Sequence, residues 1–296
     1  MNLKGILAGK PVLLQLVFLL FFVLFGSMLT GLLASLLSFL PGWKLTGMNA
    51  LRWEQLLSEG LMFFLPTLML AYLCSTNVKD YLSLRACKRP QVWIAVFASI
   101  LLSSAPITLL SYFNEQLKLP AFLSGVEHWM REMEDAANNL ASSFFSDGGG
   151  LKSYLFNLVV MAASAGVAEE FFFRGAVQRL LGKKIRHPQA VIWIAAAIFS
   201  AFHLQFYGFF PRLLLGAYFG YLLLWSRSIW LPVFAHFVNN AIAVTGSSFA
   251  KFKDTPLVTG DFTLSEVRPY ILLALASAAL FFFCLLYLRR QCSDFR

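Results

Sequence analysis

Residues 12–40 read VLLQLVFLLFFVLFGSMLTGLLASLLSFL, a stretch without a single ionisable side chain. An α-helix needs about 20 apolar residues to cross the ~30 Å hydrocarbon core of a bilayer, and this stretch exceeds that length. We interpret it as a tilted, uncleaved membrane anchor, because no small-residue cleavage site follows it at a suitable distance. The fold is therefore expected to form in lipid.

The composition extends this expectation to the whole chain. Of the 296 residues, 58% are hydrophobic and 13% are charged, whereas soluble proteins average roughly 45–50% and about 25%. Seven further apolar stretches qualify as spans. The sequence therefore predicts an all-α, polytopic membrane protein with eight transmembrane helices in a single domain, residues 1–296. The predicted spans are 12–40, 54–74, 92–113, 153–181, 188–204, 209–226, 229–246 and 268–288.

The net charge of +9 is distributed in short basic clusters between the apolar stretches. This distribution is typical of topological charge in a membrane protein, and it argues against a nucleic-acid partner. Eight spans put both ends of the chain on one side. With the N-terminus inside, the inner segments carry 15 of the 24 Lys and Arg residues. The count predicts cytoplasmic N- and C-termini, in the plasma membrane if the source is bacterial.

One outer connection, residues 114–152, is long and mainly acidic. Apolar residues recur within it at three- and four-residue spacing, which predicts an extra amphipathic helix between the third and fourth spans. Such a helix either lies on the membrane surface or caps the bundle. The recurring residues are Val126, Trp129, Met130, Met133, Ala136 and Ala137.

Ionisable residues are rare in the predicted spans, and each is costly in hydrocarbon unless it faces a cavity or a partner. Among the carboxylates, only Glu59, Glu169 and Glu170 lie in or near a span. Glu59 is close to the outer end of the second span and is expected to reach the lipid headgroups. Glu170 and Arg174 are four residues apart, in the favourable order for an ion pair on one helix face. Glu169 then has no partner along its own helix and is the candidate general base.

Two of the four histidines, His203 and His236, also lie in predicted spans. At ~1.5 Å per residue, Glu169, His203 and His236 are about 16, 22 and 10 Å from the inner ends of their helices. They therefore share one layer, expected to open to the inner side, and Asn240 lies on the helix face of His236. A carboxylate, two imidazoles and an amide suit a water-activating site and equally a proton or ion pathway.

Three motifs follow one another along the late helices. They are EExxxR at Glu169–Arg174, FxxxH at Phe199–His203 and HxxxN at His236–Asn240. In this order, the motifs resemble the type II CAAX prenyl endopeptidase family, whose bacterial members are grouped as CAAX-protease and bacteriocin-processing (CPBP) intramembrane proteases. The motif-bearing catalytic core would cover about residues 150–246.

The resemblance implies an intramembrane endopeptidase with its site in a cavity reached from the cytosolic side. By motif position, Glu169 and His203 would activate a water molecule. His236 and Asn240 would stabilise the oxyanion or bind a metal. The implied supporting residues are Glu170, Arg174 and Phe199. The implied partners are membrane lipid and a protein or peptide substrate, with or without a lipid modification.

A metal cofactor is the open point of this interpretation. The metalloprotease alternative would make His203, His236 and Glu169 the zinc ligands. However, the chain has no HExxH motif, and an amide such as that of Asn240 is a poor zinc ligand. A glutamate-dependent mechanism without a cofactor is therefore favoured over zinc.

Two other functions compete with proteolysis. A catalytically silent membrane scaffold would bind and regulate partner proteins through the same groove, but it has no need to keep four polar residues buried together. A proton-coupled transporter would use Glu169 and the histidines as a relay, but the chain shows no internal repeat of the kind such transporters carry. The sequence favours the protease.

Overall fold

The protein is described by a computed structural model that covers residues 3–39, 48–146, 150–249, 252, 255 and 262–293. Every regular element in these ranges is a helix, which satisfies the backbone hydrogen bonds inside lipid. Leu40, the last residue of the first predicted span, lies outside the described residues, as do both ends of the predicted 1–296 domain.

Ten helices and two short 3₁₀ turns, Ala121–Leu123 and Phe206–Gly208, build the described part of the chain, and each of the eight predicted spans coincides with one of the ten. Six helical segments are long and apolar enough to cross a membrane, and α7 is apolar but shorter. The count of eight transmembrane helices stays a prediction, since α7 and α9 are not among the six. The helices are α1 Val12–Ser38, α2 Met48–Cys74, α3 Val78–Tyr81, α4 Pro90–Glu115, α5 Ser124–Ser143, α6 Gly150–Gly182, α7 Pro188–Phe202, α8 Phe209–Ser226, α9 Trp230–Ser248 and α10 Leu264–Ser293.

The fifth predicted span is shorter than expected. α7 begins at Pro188, where proline suits the first helical turn, and it ends at Phe202. The chain then turns through Leu204, whose backbone is left-handed with φ 54°. His203 therefore lies just past the end of the helix and not inside it, a correction to the predicted span 188–204.

Two ends of the helix bundle can be recognised from contacts between the connections. At one end, Lys183 Nζ donates to Gln15 Oε1 at 2.6 Å and the Ile229 N–H donates to the Ser83 carbonyl at 2.9 Å. We call this end the basic face, after the Lys and Arg residues of its connections. They include Lys79, Arg85, Lys88, Arg89, Lys183, Lys184, Arg186 and Arg227.

The opposite end carries α5 and is called the α5 face. Here Asn114, at the end of α4, donates from Nδ2 to the Phe206 carbonyl at 3.2 Å. Tyr154, near the start of α6, is 3.1 Å from the Thr245 hydroxyl near the end of α9. Successive long helices therefore run between the two faces in alternate directions, and α2 and α6 run in the same direction.

Central helix α6 is enclosed most completely. Its residues Phe171–Gln178 are all buried, and the rings of Phe172 and Phe173 contact Phe63 of α2 at 5.3 and 6.4 Å. Two π-helical segments, Leu158–Ser164 and Phe171–Gln178, flank a single α-helical turn and a half, Ala165–Glu170. π-helical segments occur frequently at functional sites, and the segment between these two carries both glutamates.

Candidate active site

The ion pair predicted between Glu170 and Arg174 is present and deeply buried. Arg174 Nη1 donates to Glu170 Oε1 at 2.7 Å, and the two residues are 0% and 2% exposed. The second guanidinium nitrogen, Nη2, donates to the Gly216 carbonyl of α8 at 2.8 Å. Because a buried charge is costly unless it is paired and hydrogen-bonded, the two residues permit each other's burial.

Arg174 and His236 are both held by the same carboxylate and the same ring. His236 Nδ1 is 2.8 Å from Glu170 Oε1. Its imidazole stacks on Phe219, with ring centroids 5.1 Å apart and planes inclined by 22°. The Arg174 guanidinium lies 5.4 Å from the same Phe219 ring. Glu170 and Phe219 therefore fix the position and rotation of His236.

His203 is oriented by the helix that it follows. Its Nδ1 lies 2.9 Å from the Phe199 carbonyl, one turn earlier. The Phe199 ring packs edge-on against both imidazoles, at 5.0 Å from His203 and 5.9 Å from His236, and lies 4.8 Å from the Arg174 guanidinium. Phe199 thus separates the two histidines and sets their spacing.

Glu169 lies where the two histidines converge. Its Oε2 is 3.9 Å from His203 Nε2 and 3.9 Å from His236 Nε2. The same oxygen is buried and accepts no hydrogen bond from the described residues. The structure therefore brings together six of the seven residues singled out from the sequence: Glu169, Glu170, Arg174, Phe199, His203 and His236.

Asn240 lies one helical turn from His236, on the side of the α5 face. Its Nδ2 donates to the Met161 carbonyl of α6 at 3.0 Å, and its Oδ1 accepts from Asn239 at 3.1 Å. Its described contacts therefore link α9 to α6 about two turns before Glu169. Asn240 joins the site's outer edge and not the carboxylate–imidazole cluster.

The distances fit zinc poorly. Ligand bonds of about 2.0–2.1 Å in tetrahedral geometry separate the donor atoms by about 3.4 Å, whereas Glu169 Oε2 is 3.9 Å from each imidazole Nε2. In the described part of the chain, no group of three or more His, Cys, Asp and Glu residues has a metal-binding arrangement. The side chains of His203, His236 and Glu169 would have to move closer together to bind one zinc ion.

Glu59 is a site residue that the sequence missed. The expectation that it reaches the headgroups is wrong, because Glu59 is only 3% exposed and accepts a hydrogen bond from Gln55 at 2.9 Å. Helix α2 begins at Met48, well before the predicted span, so Glu59 lies inside it. Phe63 and Phe173, each four residues further along parallel helices, are in ring contact. Glu59 therefore faces α6 at the height of Glu169.

Gly166 is a second residue that the sequence missed. A Cβ atom at this position would lie 3.1 Å from the Phe237 backbone nitrogen and 3.3 Å from the Val233 carbonyl oxygen of α9. A side chain here would push the two backbones apart, and their close approach places α9, which carries His236, against the segment of α6 that carries the glutamates. The signal available in the sequence was the run of small residues Ala162–Gly166 directly before them.

Helix α5 contacts the loop that follows His203. Glu134 Oε2 accepts from the Tyr207 N–H at 3.1 Å, and the Arg131 guanidinium lies 4.5 Å from the Tyr207 ring. One turn earlier, a hydrogen bond from Arg131 and one from the Leu119 N–H lower the pKa of Glu127, since both favour its charged form. The loop is therefore held from outside the bundle by α5.

Comparison with known proteins identifies the family of the central segment. Residues 151–242 match the family described as type II CAAX prenyl endopeptidase Rce1-like. The resemblance that the three motifs indicate is confirmed, and this segment contains all of them. A search of curated proteins and a search of solved structures each gave no match. The family is a protease family, and with its apolar helices the chain is an integral membrane protein.

Proposed function

We propose that the protein is an intramembrane endopeptidase that hydrolyses a peptide bond of a membrane-associated protein or peptide. One observation carries the proposal. The buried Oε2 of Glu169 accepts no hydrogen bond from the described residues, and an imidazole Nε2 lies 3.9 Å away on each of two sides. A water molecule between these three atoms would be held and polarised at once.

The hydrogen bonds of the two imidazoles fix where their protons are. A carbonyl oxygen only accepts, so His203 donates from Nδ1 to Phe199 and turns the lone pair of Nε2 toward Glu169. His236 donates from Nδ1 to the Glu170 carboxylate. The lone pairs of both Nε2 atoms and the Glu169 carboxylate would then face one another as three acceptors. Three hydrogens are needed to satisfy these three acceptors. A water molecule would supply two of them, and His236 carrying a second proton, on Nε2, would supply the third.

The reaction follows from this arrangement. Water donates one O–H to Glu169 and the other to His203, and its oxygen attacks the carbonyl carbon of the substrate as Glu169 takes the proton. His236, protonated on Nε2, donates to the oxyanion that forms, which is the type of fixed donor that stabilises such charge. Glu169 then returns its proton to the amine nitrogen as the C–N bond breaks.

Asn240 is the second donor to the oxyanion, beside His236. Its Nδ2 carries two hydrogens, and one of them is used by the Met161 carbonyl. The other hydrogen is available to a substrate carbonyl at the outer edge of the site. Glu170, Arg174 and Phe199 support the reaction by holding His236 and His203.

The wider membrane arrangement is also proposed. Eight helices cross the bilayer in one domain, with about residues 150–246 as the catalytic core, and α7 and α9 are the two spans that cross in addition to the six long apolar segments. The basic face is cytoplasmic, with both termini, because Lys and Arg accumulate on that side. The α5 helix lies at the opposite membrane surface, over the bundle. In a bacterium the membrane would be the plasma membrane.

The decisive experiment compares the wild type with Glu169→Gln. The amide keeps the shape of the carboxylate but cannot take a proton, so cleavage should fall by about 10²–10⁴-fold. Purified protein is incubated with a membrane proteome and new peptide termini are identified. Glu132→Gln, an exposed carboxylate on α5, is the matched control and should cleave normally.

Full activity of Glu169→Gln, with its fold intact, would refute the mechanism. Metal analysis of the same purified samples tests the cofactor. Stoichiometric zinc that disappears together with activity in His203→Ala would replace the metal-free mechanism by the zinc alternative.

A further inference from the structure

The basic face contains a cleft that the proposed reaction does not use. Its volume is about 480 Å³, and its lining includes residues from three connections: those between α2 and α4, between α6 and α7, and between α8 and α9. Glu169, His203 and His236 do not line it. We call it the basic cleft, and it is distinct from the carboxylate–imidazole cluster.

The charges that line the basic cleft are strongly unbalanced. Five arginines and one aspartate line it. Two of the arginines are paired, since Arg174 binds Glu170 at 2.7 Å and Arg85 binds Asp80 at 3.1 Å. The three lining arginines that have no carboxylate partner among the described residues are Arg179, Arg186 and Arg227. The cleft therefore offers three uncompensated positive charges to an anionic ligand.

The floor of the basic cleft offers an unused acceptor. Gln178, one turn beyond Arg174 on α6, lines the cleft and is 9% exposed. Its Nε2 donates to the Gly220 carbonyl at 3.4 Å, but its Oε1 is buried and accepts no hydrogen bond from the described residues. A buried polar atom without a partner costs about 1–3 kcal/mol. The ligand that suits the cleft therefore carries a hydroxyl group in addition to anionic oxygens.

The basic cleft also has an apolar wall, formed by the ends of two helices. Val191 and Ile192 lie near the start of α7, and Leu223 and Leu224 lie near the end of α8. The connections beside these ends lie at the level of the lipid headgroups, because the helices that they join run through the hydrocarbon. A soluble anion would use only the arginines, whereas a phospholipid would also place its glycerol and acyl chains against the apolar wall.

We propose that the basic cleft binds an anionic phospholipid whose headgroup carries a free hydroxyl, the chemistry of phosphatidylglycerol. Arg186 and Arg227 hold the phosphate, since the guanidinium fork matches phosphate oxygens, and Gln178 accepts from the headgroup hydroxyl. The acyl chains leave along α7 and α8. Basic pockets between transmembrane helices bind anionic headgroups in this manner. The lipid site does not depend on the proposed peptidase activity.

Lipid titration of the purified full-length protein in a neutral detergent tests the proposal. Native mass spectrometry counts the bound lipid, with phosphatidylglycerol and phosphatidylcholine of the same acyl chains as probes. Arg186→Gln combined with Arg227→Gln removes two of the uncompensated charges. The matched control, Lys88→Gln combined with Lys184→Gln, removes the same charge from exposed residues of the basic face that do not line the cleft.

The wild type should bind one phosphatidylglycerol at least about tenfold more tightly than phosphatidylcholine, since each arginine contributes about one such charge interaction. The arginine double variant should lose this preference, and the lysine double variant should keep it. Arg186→Gln alone should lose part of it, and this variant leaves Arg227, whose backbone is left-handed with φ 53°, unchanged.

Two results would overturn the proposal. Equal losses in the arginine and lysine double variants, both folded by their denaturation curves, would mean that the lipid responds to the charge of the whole basic face. Displacement of phosphatidylglycerol by an equal concentration of glycerol 1-phosphate would mean that the acyl chains contribute nothing and that the cleft serves a soluble phosphate. Neither result depends on whether Glu169→Gln is inactive.

Discussion

The half of α6 that runs from Glu170 to the basic face differs sharply from the half that runs from Glu169 to the α5 face. In the first, Glu170 accepts from both Arg174 and His236, and the surrounding residues are buried. In the second, Glu169 Oε2 accepts no hydrogen bond from any described residue, and Leu204, next to His203, is exposed. Two adjacent carboxylates therefore have different surroundings: Glu170 Oε1 is bound by Arg174 and His236, whereas Glu169 Oε2 faces two imidazoles at 3.9 Å without a hydrogen bond.

The comparison also shows how the support and the reactive group depend on each other. His236 joins them, since its Nδ1 binds Glu170 Oε1 and its Nε2 faces Glu169 Oε2. Changes between Glu170 and the basic face should therefore lower both stability and activity. Changes between Glu169 and the α5 face should mainly affect activity.

Replacing Arg174, the buried cation between Glu170 and the basic face, should have the largest effect. Arg174→Met leaves Glu170 buried without its main partner, so the free energy of unfolding should fall by about 3–5 kcal/mol. Cleavage should be lost as well, because His236 shares that carboxylate. Denaturation of the purified protein in detergent measures the first effect, and termini analysis measures the second.

Two further variants show whether the ion pair itself is responsible. Arg179→Met, at an exposed arginine that lies 4.4 Å over the Tyr81 ring, should cost at most about 1 kcal/mol. Glu170→Met combined with Arg174→Met removes both buried charges and should recover most of the lost stability while remaining inactive. An Arg174→Met protein as stable as the wild type would show that the stability of the bundle does not depend on this pair.

Separating α6 from α9 should have an intermediate effect. Gly166→Leu pushes a side chain into the backbone of Phe237, 3.1 Å from the position of a Cβ. Overpacking of this type costs about 1–3 kcal/mol, and a shift of His236 by about 1 Å can cost about 10²-fold in rate. Denaturation and cleavage rates are measured as for the Arg174 variant.

Gly182→Leu is the matched control, since it lies on the same helix and a Cβ there would meet no atom within 4 Å. It should leave the rate unchanged. Equal loss of activity in the two variants would mean that the close approach of α6 and α9 does not position His236.

The smallest effect is expected at α5. Glu134→Gln weakens the hydrogen bond to the Tyr207 N–H, which holds the loop after His203. A hydrogen bond of this type contributes about 1 kcal/mol to stability, so the free energy of unfolding should fall by no more than that, and kcat/KM should fall at most roughly fivefold. Glu132→Gln, whose carboxylate pairs with His128 on the exposed side of α5, should have no effect. A large loss of stability at Glu134 would instead make α5 part of the core.

Hydrophobic runs predicted the helices well because lipid imposes one requirement on every span. All eight runs coincide with helices, with boundaries that differ by a few residues. The error at α2 has a physical cause. The predicted run starts at residue 54, but the helix begins at Met48 and buries the charged Arg52 against Asn157 at 2.8 Å. Glu59 was misplaced for that reason.

The motif residues were predictable because their local order on one helix already constrains them. Glu170 and Arg174 had to pair, and Glu169 had to face elsewhere. Asn240 shows the limit, since its face on α9 was right but its amide turned to the Met161 carbonyl. Which of several nearby acceptors an amide chooses depends on the neighbouring helix, and no periodicity within α9 records that.

The sequence by itself determined that the chain lies in lipid, that its helices alternate between two faces, and that a few polar residues are buried among them. Those conclusions depend on hydrophobicity and on spacing within single helices. Only the tertiary structure decided that Gly166 lets α9 approach α6, that Glu59 joins the layer of Glu169, and that every residue of Phe171–Gln178 is buried. These features depend on the distances between helices far apart in sequence, and packing of the whole bundle sets those distances.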